Sequence, residues 1–229
     1  MTFSSKITGG IKNPRKALEY IISRKSYDEL NQKYQEQSRK YQELLKKHTC
    51  NDITNISTPL ESRMMTDTDI HEHLCTLYLL TIELKLTNVL ELGTRSGEST
   101  IAFLQALKEI GGNLTSIDID PCLEAKKMVN DSHLNLNWKF IQGDDLKVKW
   151  DEPIDHLFID TSHTYDHTLA ELKKYEPYVK EGGIITFHDT ISFPPVLKAI
   201  KKYLESNKEL KFYHYFNNNG LGILKKPIS

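Results

Sequence analysis

The stretch that decides the fold runs from Asn88 to Thr100 and reads NVLELGTRSGEST. An apolar run, NVLEL, stops at a turn bounded by Gly93 and Gly97, and the helix-forming run ESTIAFLQALKEI follows at once. A strand that enters a helix through a glycine turn is the repeating unit of wound parallel sheets. Glycine lets the backbone approach a ligand closely, and the first helical N–H groups favour a negative group there. A dinucleotide site would present GxGxxG for its pyrophosphate. This turn is GxxxG, and Glu91 stands two residues before its first glycine, where it would repel a pyrophosphate and suit a ligand amino group.

Outward from this turn the pattern alternates. The helix IHEHLCTLYLLTIELKL precedes the strand. Strand LTSIDI follows, then helix PCLEAKKMVN with Asp120 before a first-position proline, strands WKFIQ and IDHLFI, helix TLAELKKYEPYV, strand GIITFH and helix PPVLKAIKKYLES. KFYHYF and LGILKK close the chain as a hairpin around NNNG. Strands alternating with helices imply a parallel sheet covered on both faces. We therefore expect an α/β domain over residues 56–229. It is a Rossmann-like, doubly wound, seven-stranded sheet with a C-terminal antiparallel hairpin.

Residues 1–55 have a different texture and form an N-terminal helical extension. NPRKALEYIISR reads as a helix with Asn13 as cap and Pro14 at its first position. A second helix begins near Ser26 and carries Tyr27, Tyr34 and Tyr41 at a seven-residue spacing. Two readings fit it: a solvated helix along one edge of the domain, or a helix pair that makes a homodimer.

The totals set limits on function. The chain has 229 residues, 38% of them hydrophobic, and a formal charge of −1. That balance argues against a nucleic-acid binder, which would show a basic excess. Cys50, Cys75 and Cys122 are widely separated and form no CxxC, which points to a reduced, cytoplasmic chain. The N-terminus lacks the apolar core of a signal peptide, and the most apolar stretch, LCTLYLLTIELKL, is too short for a membrane span.

Acids mark the strand ends. Asp118 ends the second strand, where a carboxylate can hold ribose hydroxyls, and Asp144 follows FIQG, near an adenine edge. ELGTRSGEST, with SIDIDP, QGDD and the late hairpin, resembles the class I S-adenosylmethionine-dependent methyltransferases over residues 65–228. That resemblance implies S-adenosylmethionine as cofactor. It sets Glu91, Gly93, Thr94, Arg95 and Ser99 around the methionine part, Asp118 on the ribose and Asp144 by the adenine.

Two later strands end alike. Asp160 ends IDHLFID with His163 three residues on, and His188 and Asp189 end GIITFHD. In a wound sheet these strands lie beside the first, so the four side chains converge. Two carboxylates and an imidazole suit a divalent cation. Helix capping by each aspartate, with His188 satisfying a backbone carbonyl in the core, is the competing explanation. D-x-x-H-x-Y, then GG and H-D-T, is similar to the cephalosporin hydroxylase-like and macrolide-sugar O-methyltransferases, and more distantly to catechol O-methyltransferase. The likeness implies an O-methyltransferase acting on a small-molecule hydroxyl, a sugar being the first candidate. Asp160, His188 and Asp189 would hold magnesium, manganese or iron, with Asp160 and His163 catalytic and His163 as the base. Relatives carry Glu-Asp or Asp-Asn where this chain has His188-Asp189. A metal-independent enzyme using His163 alone, and a non-catalytic S-adenosylmethionine-binding module, are the alternatives. His71 and His73 read as surface histidines, with one lining the acceptor pocket as the alternative, and His167 gives no hint of function.

Overall fold

The structure is a computed structural model that describes residues 58–228. The expected N-terminal helical extension, with its candidate caps at Asn13 and Ser26 and the Tyr27–Tyr34–Tyr41 spacing, lies outside the described residues. Helices are α1 (Pro59–Met64), α2 (His71–Glu83), α3 (Glu98–Ile110), α4 (Leu123–Asp131), α5 (Tyr165–Tyr175) and α6 (Pro194–Leu204). Strands are β1 (Asn88–Leu92), β2 (Asn113–Asp118), β3 (Trp138–Gln142), β4 (Ile154–Ile159), β5 (Val179–Phe187), β6 (Lys211–Tyr215) and β7 (Leu221–Lys225). They form one seven-stranded sheet in the order β3-β2-β1-β4-β5-β7-β6. β1 to β5 are mutually parallel, and β7 pairs antiparallel with both β5 and β6. The order reverses between β1 and β4, the switch point where such sheets open a crevice.

Side chains of successive strand residues face opposite sides, so each central strand feeds two cores. Val89, Phe158 and Ile184 pack with Leu74, Leu77, Phe103 and Leu107 beneath α2 and α3. Leu90, Leu157 and Ile185 pack with Leu172, Tyr175 and Ile200 beneath α5 and α6. Among the described residues no helix is long and apolar enough to cross a membrane.

Three local differences from the sequence reading have physical causes. α1 was not anticipated, although Thr58 and Glu61 make a reciprocal capping box with Pro59 at the first position. α4 starts at Leu123, after Cys122 in a left-handed conformation, rather than at Pro121. His73 is buried, not at the surface: its Nε2 donates to the Asn217 carbonyl at 2.9 Å, and burial lowers its pKa to about 4.

His156, on β4, is fully buried between Thr81 and Thr186, its Nε2 2.8 Å from Thr186 Oγ1. Burial drives its pKa from 6.5 down to about 3. A ring held neutral in the fold contributes full stability above the unfolded pKa and loses it as the pH falls toward the folded value. We expect the wild type to lose up to about 1.4 kcal/mol per pH unit more than His156→Gln between pH 6.5 and 5. Urea unfolding of both proteins across that window checks the difference. Equal slopes would show that the ring is charged inside the fold.

Candidate active site

Register sets the height at which each strand delivers its ligand. Leu92 pairs with Ile159, and Ile159 with Phe187, so Gly93, Asp160 and His188 leave the sheet together. Backbone bonds continue one step past the strands, from Asp160 N to the Leu92 carbonyl at 2.8 Å and from Gly93 N to the Ile117 carbonyl at 2.9 Å. Asp118 therefore arrives beside Gly93. A cavity of about 430 Å³ opens over these ends, lined by Gly93, Arg95, Asp118, Asp144, Asp160 and His163 among others.

The glycine turn is tied to both neighbours. Asp118 Oδ2 accepts from Thr94 N at 2.7 Å and Arg95 N at 3.0 Å, and its Oδ1 accepts from Asp120 N at 2.9 Å. Burial opposes its charge, but these N–H groups prevail and hold the carboxyl below its ordinary pKa. Arg95 makes a two-point pair with Asp69, at 2.7 and 2.6 Å, on the rim. Gly93 has φ of +86°, and a Cβ there would lie 1.9 Å from the Asp160 carbonyl oxygen. Backbone cannot yield as a flexible side chain would. Gly93→Ala should cost more than about 2 kcal/mol of stability and displace Asp160. Urea unfolding with a ligand titration measures both, and a variant with native stability would refute the close approach.

Two residues expected at the ligand face inward instead. Glu91 lies on the same side of β1 as Val89, which turns it under α3, where it is fully buried. Its Oε1 accepts from Ser99 Oγ at 2.7 Å, and its Oε2 from Thr100 Oγ1 at 2.8 Å and Ser116 Oγ at 2.5 Å. Burial raises its pKa to about 7 against the pull of these three hydroxyls. Glu91 and Ser99 therefore hold the turn to α3 and β2 and do not line the cavity. Thr94 is also buried, and offers its backbone N–H to Asp118. Asp144 does line the cavity, bonded to Leu146 N at 3.0 Å and paired with Lys147 at 2.7 Å.

The four residues from the fourth and fifth strands do converge, in a different arrangement from the one expected. His163, assigned to stand beside a cation as base, sits between the carboxylates. Its Nε2 is 3.3 Å from Asp160 Oδ1 and 2.9 Å from Asp189 Oδ2. His188 lies behind, with Nδ1 3.5 Å from Asp160 Oδ2 and 3.6 Å from Asp189 Oδ2. The His188 Nε2–H donates to the Asp69 carbonyl at 3.0 Å and the Asn218 carbonyl at 3.3 Å, which fixes the ring and leaves Nδ1 toward the carboxylates. Asp189 holds φ of +59°, an uncommon conformation for a residue with a side chain.

The electrostatics follow from this clustering. Hydrogen bonds to Asp160 and Asp189 raise the His163 pKa to about 9. Burial opposes ionisation of Asp160, yet both histidines hold its pKa far below normal. Burial likewise opposes charge on His188, but Asp160 and Asp189 outweigh it and raise its pKa. Two observations suit a divalent cation here. The separations of 2.9–3.6 Å bracket the roughly 3.0–3.4 Å between donors that share one ion with bonds near 2.1 Å. Asp189 Oδ1 is also buried without a partner. Sequence reasoning missed Phe193, whose ring stacks on His163 at 4.2 Å and 18°. Its place before Pro194 signalled only a helix start.

Comparison with known proteins agrees with this architecture. Residues 90–190 match a family model described as a methyltransferase domain. An O-methyltransferase from Bacillus cereus in complex with S-adenosylhomocysteine superposes with a TM-score of 0.58 at 16% identity, covering 80% of this chain and 97% of that one. An S-adenosylhomocysteine-bound methyltransferase from Podospora anserina gives 0.61 at 11% identity, covering 82% and 96%. A methyltransferase from Geobacter sulfurreducens gives 0.59 at 16%, covering 77% and 92%. At such identities the likeness carries the fold. No curated protein matches the sequence.

Proposed function

We propose that this chain, whose residues 90–190 match a methyltransferase-domain model, methylates a hydroxyl oxygen of a small molecule with S-adenosylmethionine as donor. One observation carries the proposal: Asp160 and His163 line the same cavity as Gly93, Asp118 and Asp144, and His163 joins them to Asp189 behind the wall. Asp118 and Asp144 are the residues for the nucleoside end, and the close backbone at Gly93 serves the methionine end. The rim beyond Asp189 offers half-exposed Ile191 and Phe193 to an acceptor. The free thiols Cys75 and Cys122 favour a reducing compartment such as the cytoplasm.

Methyl transfer to a hydroxyl requires an aligned oxygen and an exit for its proton. His163 is the group placed to take that proton. Asp160 and Asp189 orient its ring from below, and Phe193 holds the ring plane. With a pKa near 9, the ring starts as an imidazolium at neutral pH and must first give up its proton. Asp160 and Asp189, with His163 or His188 Nδ1, would hold a divalent cation. That cation would supply the positive charge the carboxylates otherwise draw from His163 and would lower the pKa of an acceptor hydroxyl.

Cofactor binding is the direct test. Calorimetry should detect S-adenosylhomocysteine binding and none of NAD. Asp118→Ala should weaken that binding by about 1.5–3 kcal/mol, roughly tenfold to 150-fold, through lost charge-assisted hydrogen bonds. Tight NAD binding without a response to S-adenosylhomocysteine would end the proposal.

A further inference from the structure

A second cluster of ligating side chains lies on the other part of the cavity wall. α5 carries His167 and Glu171 one turn apart, so both face the loop after β3 that carries Asp145. His167 Nε2 is 3.1 and 3.2 Å from the two Asp145 carboxylate oxygens and 3.7 Å from Glu171 Oε1. Glu171 is fully buried. Its Oε1 accepts from Thr161 Oγ1 at 2.6 Å, but its Oε2 is buried without a partner. Burial raises the Glu171 carboxyl well above its ordinary pKa, and the facing Asp145 carboxylate raises it further. Lys174, beside them, donates to the Asp145 and Val148 backbone carbonyls rather than to a carboxylate.

We infer that Asp145, His167 and Glu171 form a second divalent-cation site, separate from Asp160, His163 and Asp189. Two carboxylates and an imidazole suit a borderline first-row ion such as Zn²⁺, Co²⁺ or Mn²⁺. The separations lie close to the roughly 3.0–3.4 Å expected of donors around one such ion. The unpartnered Glu171 Oε2 is the donor that the cation-free network leaves unused. Because Asp145 and His167 line the cavity while Glu171 anchors Thr161, an ion here would clamp α5 to the loop bearing Asp144. Its role is to stiffen the cavity wall. This inference does not depend on the proposed reaction.

The full-length protein, stripped with EDTA and titrated with Co²⁺, tests it. The Asp160→Asn/Asp189→Asn double variant removes the first cluster and isolates the second. We expect it to bind one equivalent of Co²⁺, with visible absorption bands typical of a bound imidazole and a rise in Tm. Adding His167→Ala, or the isosteric Glu171→Gln, should abolish the bands and the Tm rise while far-UV circular dichroism stays native. The second substitution guards against a variant that fails to fold. A double variant that is folded yet binds no Co²⁺ would overturn the site. So would Co²⁺ binding that neither His167→Ala nor Glu171→Gln disturbs.

Discussion

His163→Ala should bind S-adenosylhomocysteine as the wild type does and transfer methyl groups about a hundredfold to ten-thousandfold more slowly, the usual contribution of a positioned general base. The ring contacts Asp160, Asp189 and Phe193, and none of these contacts anchors the glycine turn. Cofactor affinity should therefore survive its loss. The release of S-adenosylhomocysteine, followed across a panel of sugar and catechol acceptors, measures the rate. Because Asp160 and Asp189 stabilise the imidazolium, the wild-type rate should rise with pH toward about 9 in the absence of added cation. An alanine variant of undiminished rate would remove His163 from the chemistry.

The second large effect concerns the carboxylates. Asp160→Asn and Asp189→Asn should each lose one equivalent of bound Mn²⁺, with affinity at that site falling more than about a hundredfold. Loss of an outer supporting group alone typically costs tenfold to a hundredfold, and these would be direct ligands. Electron paramagnetic resonance of Mn²⁺ titrations counts the sites, and calorimetry with S-adenosylhomocysteine checks that the cofactor end is intact. If the wild type and both variants hold the same number of ions, the cation assignment falls. The geometry then favours a transferase without metal, in which the His163 ring itself supplies the positive charge between Asp160 and Asp189.

Much of this was legible in the sequence, for identifiable reasons. NVLEL, WKFIQ and IDHLFI match their strands end for end, because apolar runs between turn residues leave little choice of boundary. The convergence of Asp160, His163, His188 and Asp189 followed from strand order, since β4 adjoins β1 across the switch point and β5 lies next to β4. What failed was orientation. Glu91 alternates with Leu90 and Leu92, so the period of two assigns it to the face of Val89, under α3. A resemblance between motifs does not carry that parity, and it placed Glu91 at the ligand. That His188 could serve a backbone carbonyl was legible as the competing explanation, but which carbonyls, and the exchange of positions with His163, were not. That exchange depends on the carbonyls of Asp69 and Asn218, more than a hundred and about thirty residues from His188, which capture its Nε2. His167 and Glu171 looked like any polar helix pair until the loop bearing Asp145 packed against them.

Gly93 shows how tightly the two ends of the cavity are joined. Its missing side chain is what lets the turn rest on the Asp160 carbonyl, and the same turn hangs from Asp118 on its other flank. The ends proposed for the nucleoside and for the reacting groups therefore share one turn. Divergence within such a scaffold has an asymmetric freedom. In the proposed reading the exposed side chains of Ile191 and Phe193 can vary toward an acceptor, provided residue 193 keeps a flat ring against His163. The donor turn cannot be retuned for a ligand of another length without dragging Asp160 out of line. If the proposed reaction holds, a lineage built on this chain would explore many acceptors and keep a single donor.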